Sequence, residues 1–199
     1  MARATASRSR LLPALLLVLP LFAGAGPLPR AYELDVTIHP ASQALAARAD
    51  IQFSDAAAAD TLVFHLHGEL RVDSLAVAGR TVAVASRPVF YTHDYSLVAR
   101  RVEVPVTASE LADGLTVWYS GTFHRSAVRS PSDYMRIDAD GALLRSYGYS
   151  LWFPVFLAAG EDSHRADFQR VDITVPAGFQ AVFAGDLEAC RPDGEVIRC

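Results

Sequence analysis

The chain has 199 residues, of which 51% are hydrophobic and 20% charged, and its 18 basic residues, all Arg, face 22 acids. That composition excludes a disordered polymer and describes one globular domain with a single core. Three of the Arg lie in an acid-free N-terminal stretch, so the remainder is distinctly acidic and a poor partner for nucleic acid or an anionic membrane.

Arg3, Arg8 and Arg10 precede the apolar run Leu11–Phe22 and the small residues Ala23-Gly24-Ala25. Basic, apolar, small is the order of a secretory signal. The run contains Pro13 and Pro20 and falls short of the roughly 20 apolar residues that span a bilayer. The expectation is a signal peptide over 1–25, cleaved after Ala25, and a secreted or periplasmic domain over 31–199 that does not stay in the membrane.

From Tyr32 the chain alternates. Tyr32, Leu34, Val36 and Ile38 share one face, with Glu33, Asp35 and Thr37 on the other. After the turn His39-Pro40-Ala41-Ser42, the residues Leu45, Ala47, Ala49, Ile51 and Phe53 predict a second strand. Leu62, Phe64 and Leu66 predict a third, and Leu70–Ala78 a fourth that ends at Ala78-Gly79-Arg80. Val82 and Val84 predict a short continuation. Further strands are expected at Val98–Val106, Leu115–Phe123, Phe168–Val175 and Phe179–Ala184, the last two separated by Pro176-Ala177-Gly178. Single helical turns fit Ala56–Ala59 and Ser109–Ala112, and no longer helical period occurs after the signal. The fold class expected is all-β, an antiparallel two-sheet sandwich or saddle. The polar stretch His124–Tyr149 reads either as a ligand- or domain-contacting loop or as a solvated one.

Cys190 and Cys199 flank a hairpin sequence. With Gly194-Glu195 as a two-residue type II′ turn the two cysteines face each other and can bridge; with Asp193-Gly194 as a type I′ turn Cys190 opposes Ile197 instead.

Few residues carry chemistry. His65-x-His67 has a spacing that metals use, yet the pair lies opposite Phe64 and Leu66, which predicts exposed histidines pointing away from the core. Gly148-Tyr149-Ser150-Leu151-Trp152 lacks the second Gly of a nucleophile elbow. Asp138-Ala139-Asp140-Gly141 reads first as a turn. Trp118, Tyr119, Tyr147, Tyr149 and Trp152 fit either a sugar or peptide groove or a β core.

Tyr32–Pro40 followed by Ala47–Phe53, then Leu70–Gly79, the aliphatic-x-Tyr-x-Gly strand Val117–Gly121, the aromatic-Pro element Trp152-Phe153-Pro154 and the pair Phe168–Pro176 and Ala184–Leu187 occur in an order that resembles the N-terminal β (saddle) domain of the zinc aminopeptidase N family, peptidase family M1. The likeness spans about residues 31–190. It implies a β saddle preceding a thermolysin-like catalytic domain that carries a His-Glu-x-x-His helix and a Gly-x-Met-Glu-Asn motif. Neither motif occurs in these residues. In that family a Glu or Gln before the aromatic-Pro element grips the substrate amine, whereas Leu143–Leu151 contains neither.

The resemblance therefore assigns no catalytic, metal or cofactor residue, and zinc is expected only in a catalytic domain absent from this sequence. Tyr147, Tyr149 and Trp152 remain as substrate-cleft candidates. The resulting expectation is an exported N-terminal domain or fragment, inactive alone, whose partner is that catalytic domain or a peptide ligand. The alternative is a freestanding periplasmic module that binds a peptide or glycan.

Overall fold

A computed structural model describes residues 27–53, 60–91, 97–123, 135–144, 151–156, 167–183, 186 and 189–199. The expected signal peptide, the helical turn at Ala56–Ala59, and Tyr147, Tyr149 and Ser150 lie outside them.

Alternation produces the first strand pair. Strands β1 (Pro29–His39) and β2 (Ala44–Phe53) run antiparallel around a one-turn 3-10 helix, Pro40–Ser42, and Gln43 takes the left-handed conformation that closes the turn. Tyr32, Leu34, Val36 and Ile38 are all buried, as are Leu45, Ala47, Ala49 and Ile51 opposite them. Next come β3 (Thr61–His67), β4 (Leu70–Val77), β5 (Arg80–Thr81), β6 (Ala85–Tyr91) and β7 (Leu97–Pro105). Ala78 and Gly79 both have positive φ, the signature of a type I′ turn between β4 and β5. The helical turn expected at Ser109–Ala112 is α1 (Ala108–Ala112). Its first turn is closed by a capping box, in which the Thr107 side chain accepts from the Glu110 amide while the Glu110 carboxylate accepts from the Thr107 amide.

Strand β8 (Leu115–Thr122) follows, then β9 (Met135–Asp138), β10 (Gly141–Leu144), β11 (Phe168–Pro176), β12 (Arg191–Asp193) and β13 (Val196–Arg198). An eight-stranded sheet has the order β12-β13-β11-β1-β2-β8-β4-β5. A three-stranded sheet has the order β3-β7-β6, and β9 with β10 forms a separate hairpin. Leu62, Phe64, Leu66, Val102 and Val104 of the small sheet share one core with Leu34, Ala49, Leu75 and Val117 of the large one.

Several expectations need correction. The large sheet is mixed, because β11 joins β1 in parallel, with Glu33 opposite Arg170 and Thr37 opposite Thr174. Alternation specifies the buried face of a strand but not the direction of its neighbour. The continuation at Val82 and Val84 is not a strand; β5 ends at Thr81, although the Val82 amide still donates to the Leu75 carbonyl at 3.0 Å. Residues 179–183 are not a strand either. Conversely, β6 has no apolar alternation to announce it: it is a mostly exposed edge strand containing Pro88. The polar stretch His124–Tyr149 includes the β9–β10 hairpin.

The terminal hairpin takes the first of its two registers. Asp193 pairs with Val196 and Arg191 with Arg198, so Gly194-Glu195 is the two-residue turn. Gly194 has φ +63 and Glu195 does not have positive φ, as a type II′ turn requires. Cys190 and Cys199 form a disulfide, with Cα atoms 4.1 Å apart.

Candidate binding cavity

Val36 and Ile38 of β1, with Ile173 and Val175 of β11, line a cavity of about 470 Å3 on the apolar face of the large sheet. Its other lining comes from the β9–β10 hairpin (Asp140, Gly141, Ala142 and Leu144), from residues 178–183, and from Pro40 and Trp152. The hairpin is held by one buried carboxylate. Asp138 is 4% exposed, accepts from the Asp140 amide at 3.0 Å and pairs with the Arg136 guanidinium at 2.8 Å. The reading of Asp138-Ala139-Asp140-Gly141 as a turn therefore holds, and Asp138 is committed to it.

Trp152 is buried and contributes to the cavity lining, and its ring meets Phe153 edge-on at 5.1 Å. The segment 151–156 that carries it runs along the edge of β3. The His67 amide donates to the Leu151 carbonyl at 2.7 Å, and His65 and Val155 exchange both backbone hydrogen bonds. Phe153 packs against Tyr32 and Phe168, and the Tyr32 hydroxyl donates to the Pro154 carbonyl at 3.0 Å. Burial, aided by the neighbouring Tyr119, holds the Tyr32 hydroxyl well above its ordinary pKa, so it stays a neutral donor. Leu151 has φ +46, a conformation that favours glycine, at the entry to this segment.

The histidine pair differs from expectation. His65 and His67 do lie on the face opposite Phe64 and Leu66, but His65 is only 7% exposed and His67 is partly buried. Burial pushes the His65 pKa down to about 4, and Arg101 adds to this while a hydrogen bond with Val155 opposes it. Burial alone pushes His67 down to about 4. The His67 Nδ1 accepts from the Glu69 amide at 3.3 Å, and its ring lies 5.3 Å from that of Phe123. Both are neutral side chains of the interior and neither lines the cavity. Among the described residues, no group of three or more His, Cys, Asp or Glu is placed to hold a metal ion.

Among the described lining residues Asp140 is the one titratable group, and Gln180 adds an amide. Apolar and polar surface share the lining, and Asp140 offers a carboxylate to a donor. Trp152, a substrate-cleft candidate in the sequence, lines this cavity, and so do Phe179, Val182 and Phe183, which were not among those candidates. Val182 is 84% exposed although it lines the cavity, a signal that only burial reveals.

No protein-family model matches the chain, and no curated protein matches its sequence. Solved structures do match its fold. An M1 zinc metallopeptidase from Deinococcus radiodurans, a point mutant bound to a Tyr-Ser-Ala substrate, superposes with a TM-score of 0.55 at 22% identity, over 88% of this chain and 38% of that one. A two-domain M1 zinc metallopeptidase mutant bound to L-tryptophan superposes with a TM-score of 0.55 at 20% identity, over 89% of this chain and 39% of that one. The chain thus spans under two fifths of the length of either structure. At these identities the likeness is one of fold: a β fold like that of an M1 metallopeptidase N-terminal domain.

Proposed function

From this fold we propose that the chain is the N-terminal domain of an M1-type zinc metallopeptidase, exported from the cytoplasm, which supports a catalytic domain and walls one side of its substrate cleft. The observation that carries the proposal is the asymmetry of coverage: almost nine tenths of this chain fits less than two fifths of a zinc peptidase. Fold alone does not confer an activity, so the assignment of role rests on the site. Activating water for peptide hydrolysis needs zinc ligands, and the described residues bring no such group together. The disulfide supports an oxidising compartment.

Val182 supports this reading, because an aliphatic side chain 84% exposed beside the cavity leaves apolar area whose removal from water by another protein surface is favourable. Two measurements test it. The purified chain with added zinc should not hydrolyse amino-acid anilides; turnover that persists in a His65→Ala/His67→Ala variant overturns the claim. In sedimentation the isolated chain should self-associate, and Val182→Ser should reduce that association. A strictly monomeric wild-type chain that binds peptide or glycan on its own favours the module.

A further inference from the structure

Few side-chain contacts besides the cross-link hold the β12–β13 hairpin. Each strand has three residues, Arg191, Pro192 and Asp193 are all exposed, and the Arg198–Asp193 ion pair is long (3.9 Å) and exposed. Exposed pairs of that kind contribute little. Its attachment to the sheet is equally narrow. Thr174, Val175 and Pro176 pair with Arg198, Ile197 and Val196; Ile173 and Cys199 exchange both backbone hydrogen bonds, at 2.7 and 2.9 Å; and the Ala177 amide donates to the Glu195 carbonyl at 2.8 Å. Only Ile197 of the hairpin packs against the core. The covalent closure of this hairpin therefore reinforces the strand whose backbone pairing covers the outer edge of β11.

That edge matters to the cavity. Ile173 and Val175 line it from β11, and residues 178–183, which line it too, belong to the connection between β11 and the hairpin. Cys190 is exposed and open to attack by a thiolate. We propose that the Cys190–Cys199 disulfide is a redox-sensitive latch: closed, it holds the hairpin on the β11 edge and restrains the 178–183 wall; open, it releases both. The reductant is a dithiol, small or protein-borne. Its thiolate attacks one sulfur of the bridge to form a mixed disulfide, and its second thiol displaces the cysteine. The dithiol ends as a disulfide, and Cys190 and Cys199 take up two electrons and two protons as thiols.

Amide hydrogen exchange on the full chain tests the latch. Ile173 and Ala177 report the hairpin contact, while Ala49 and Val117, paired in the middle of the large sheet, report the global fold. Excess dithiothreitol should speed exchange at Ile173 and Ala177 by roughly tenfold or more, the scale of a lost cross-link over a short loop, and leave Ala49 and Val117 unchanged. A Cys190→Ser/Cys199→Ser variant without reductant should reproduce the pattern. Rates at Ile173 and Ala177 that stay within about twofold on full reduction overturn the proposal. So does an equal rise at Ala49 and Val117, which would make the bridge a general staple of the domain. The proposal does not depend on the role assigned to the domain.

Discussion

The Tyr32 hydroxyl donates to the carbonyl of Pro154 across 122 residues of sequence, at 3.0 Å and out of contact with water. This bond joins the first strand of the large sheet to the segment that carries Trp152 and runs along the small sheet. It therefore fastens one boundary of the cavity to its floor.

Tyr32→Phe should destabilise the domain by about 1–3 kcal/mol, because the Pro154 carbonyl would be left buried without its donor. Tyr119→Phe should be neutral or stabilising, since among the described residues the buried Tyr119 hydroxyl has no hydrogen-bond partner. The contrast between two equally conservative changes, read from urea midpoints, is the measurement. Equal losses in the two variants would contradict it.

Gly121→Ala should be severe. A Cβ at Gly121 would sit 2.3 Å from the carbonyl oxygen of Glu69, a backbone atom that cannot rotate away. The strands β4 and β8 would have to part at the position where Leu70 pairs with Gly121. A cost of about 2 kcal/mol or more is expected, within the range of overpacked sites. A thermal midpoint equal to that of the wild type would show that the loop at Glu69 yields freely.

Stability should fall in mild acid. His65 and His67 have pKa values near 4 in the folded chain, against about 6.5 when unfolded, so the unfolded chain binds more protons between those limits. Their contribution is complete above about pH 6.5 and is lost as pH falls toward 4, by up to ~3 kcal/mol for each. Asp35 acts in the opposite sense. Burial, with a hydrogen bond to Asp172 directly across the parallel β1–β11 seam, raises its pKa, so the folded state holds that proton more tightly and stability is gained as pH falls through the raised value. Arg170 and Arg48 oppose the shift. Urea midpoints between pH 7.5 and 4.5 should decline in the wild type and flatten in a His65→Gln/His67→Gln variant. A wild-type midpoint constant over that range would show that the histidines are solvated.

Much of this fold is legible along the chain. The alternation of Tyr32, Leu34, Val36 and Ile38 with Glu33, Asp35 and Thr37 needs no neighbour to specify a half-buried strand, because side chains of extended backbone take opposite faces in turn. Asp138-Ala139-Asp140-Gly141 is equally local, since short polar side chains act within four residues, whereas Asp193-Gly194-Glu195 announces a turn but leaves two registers open. Residues 179–183 show the limit. Their composition suits a strand, but a strand exists only if a partner accepts its hydrogen bonds, and here the segment borders a cavity.

His65 and His67 mark the same divide. Residue order was enough to place them opposite Phe64 and Leu66, and this the structure keeps. Their burial, their pKa near 4 and their neutrality follow from long-range packing, with Leu151 and Val155 bonded along the edge of β3 and Phe123 against the His67 ring. So too with the opening composition: length and apolar content bounded a single core, whereas the parallel β1–β11 seam, the cavity and the choice of disulfide register depend on contacts among distant residues. Local pattern encodes which way a side chain points; only the assembled sheets decide whether water is there to meet it.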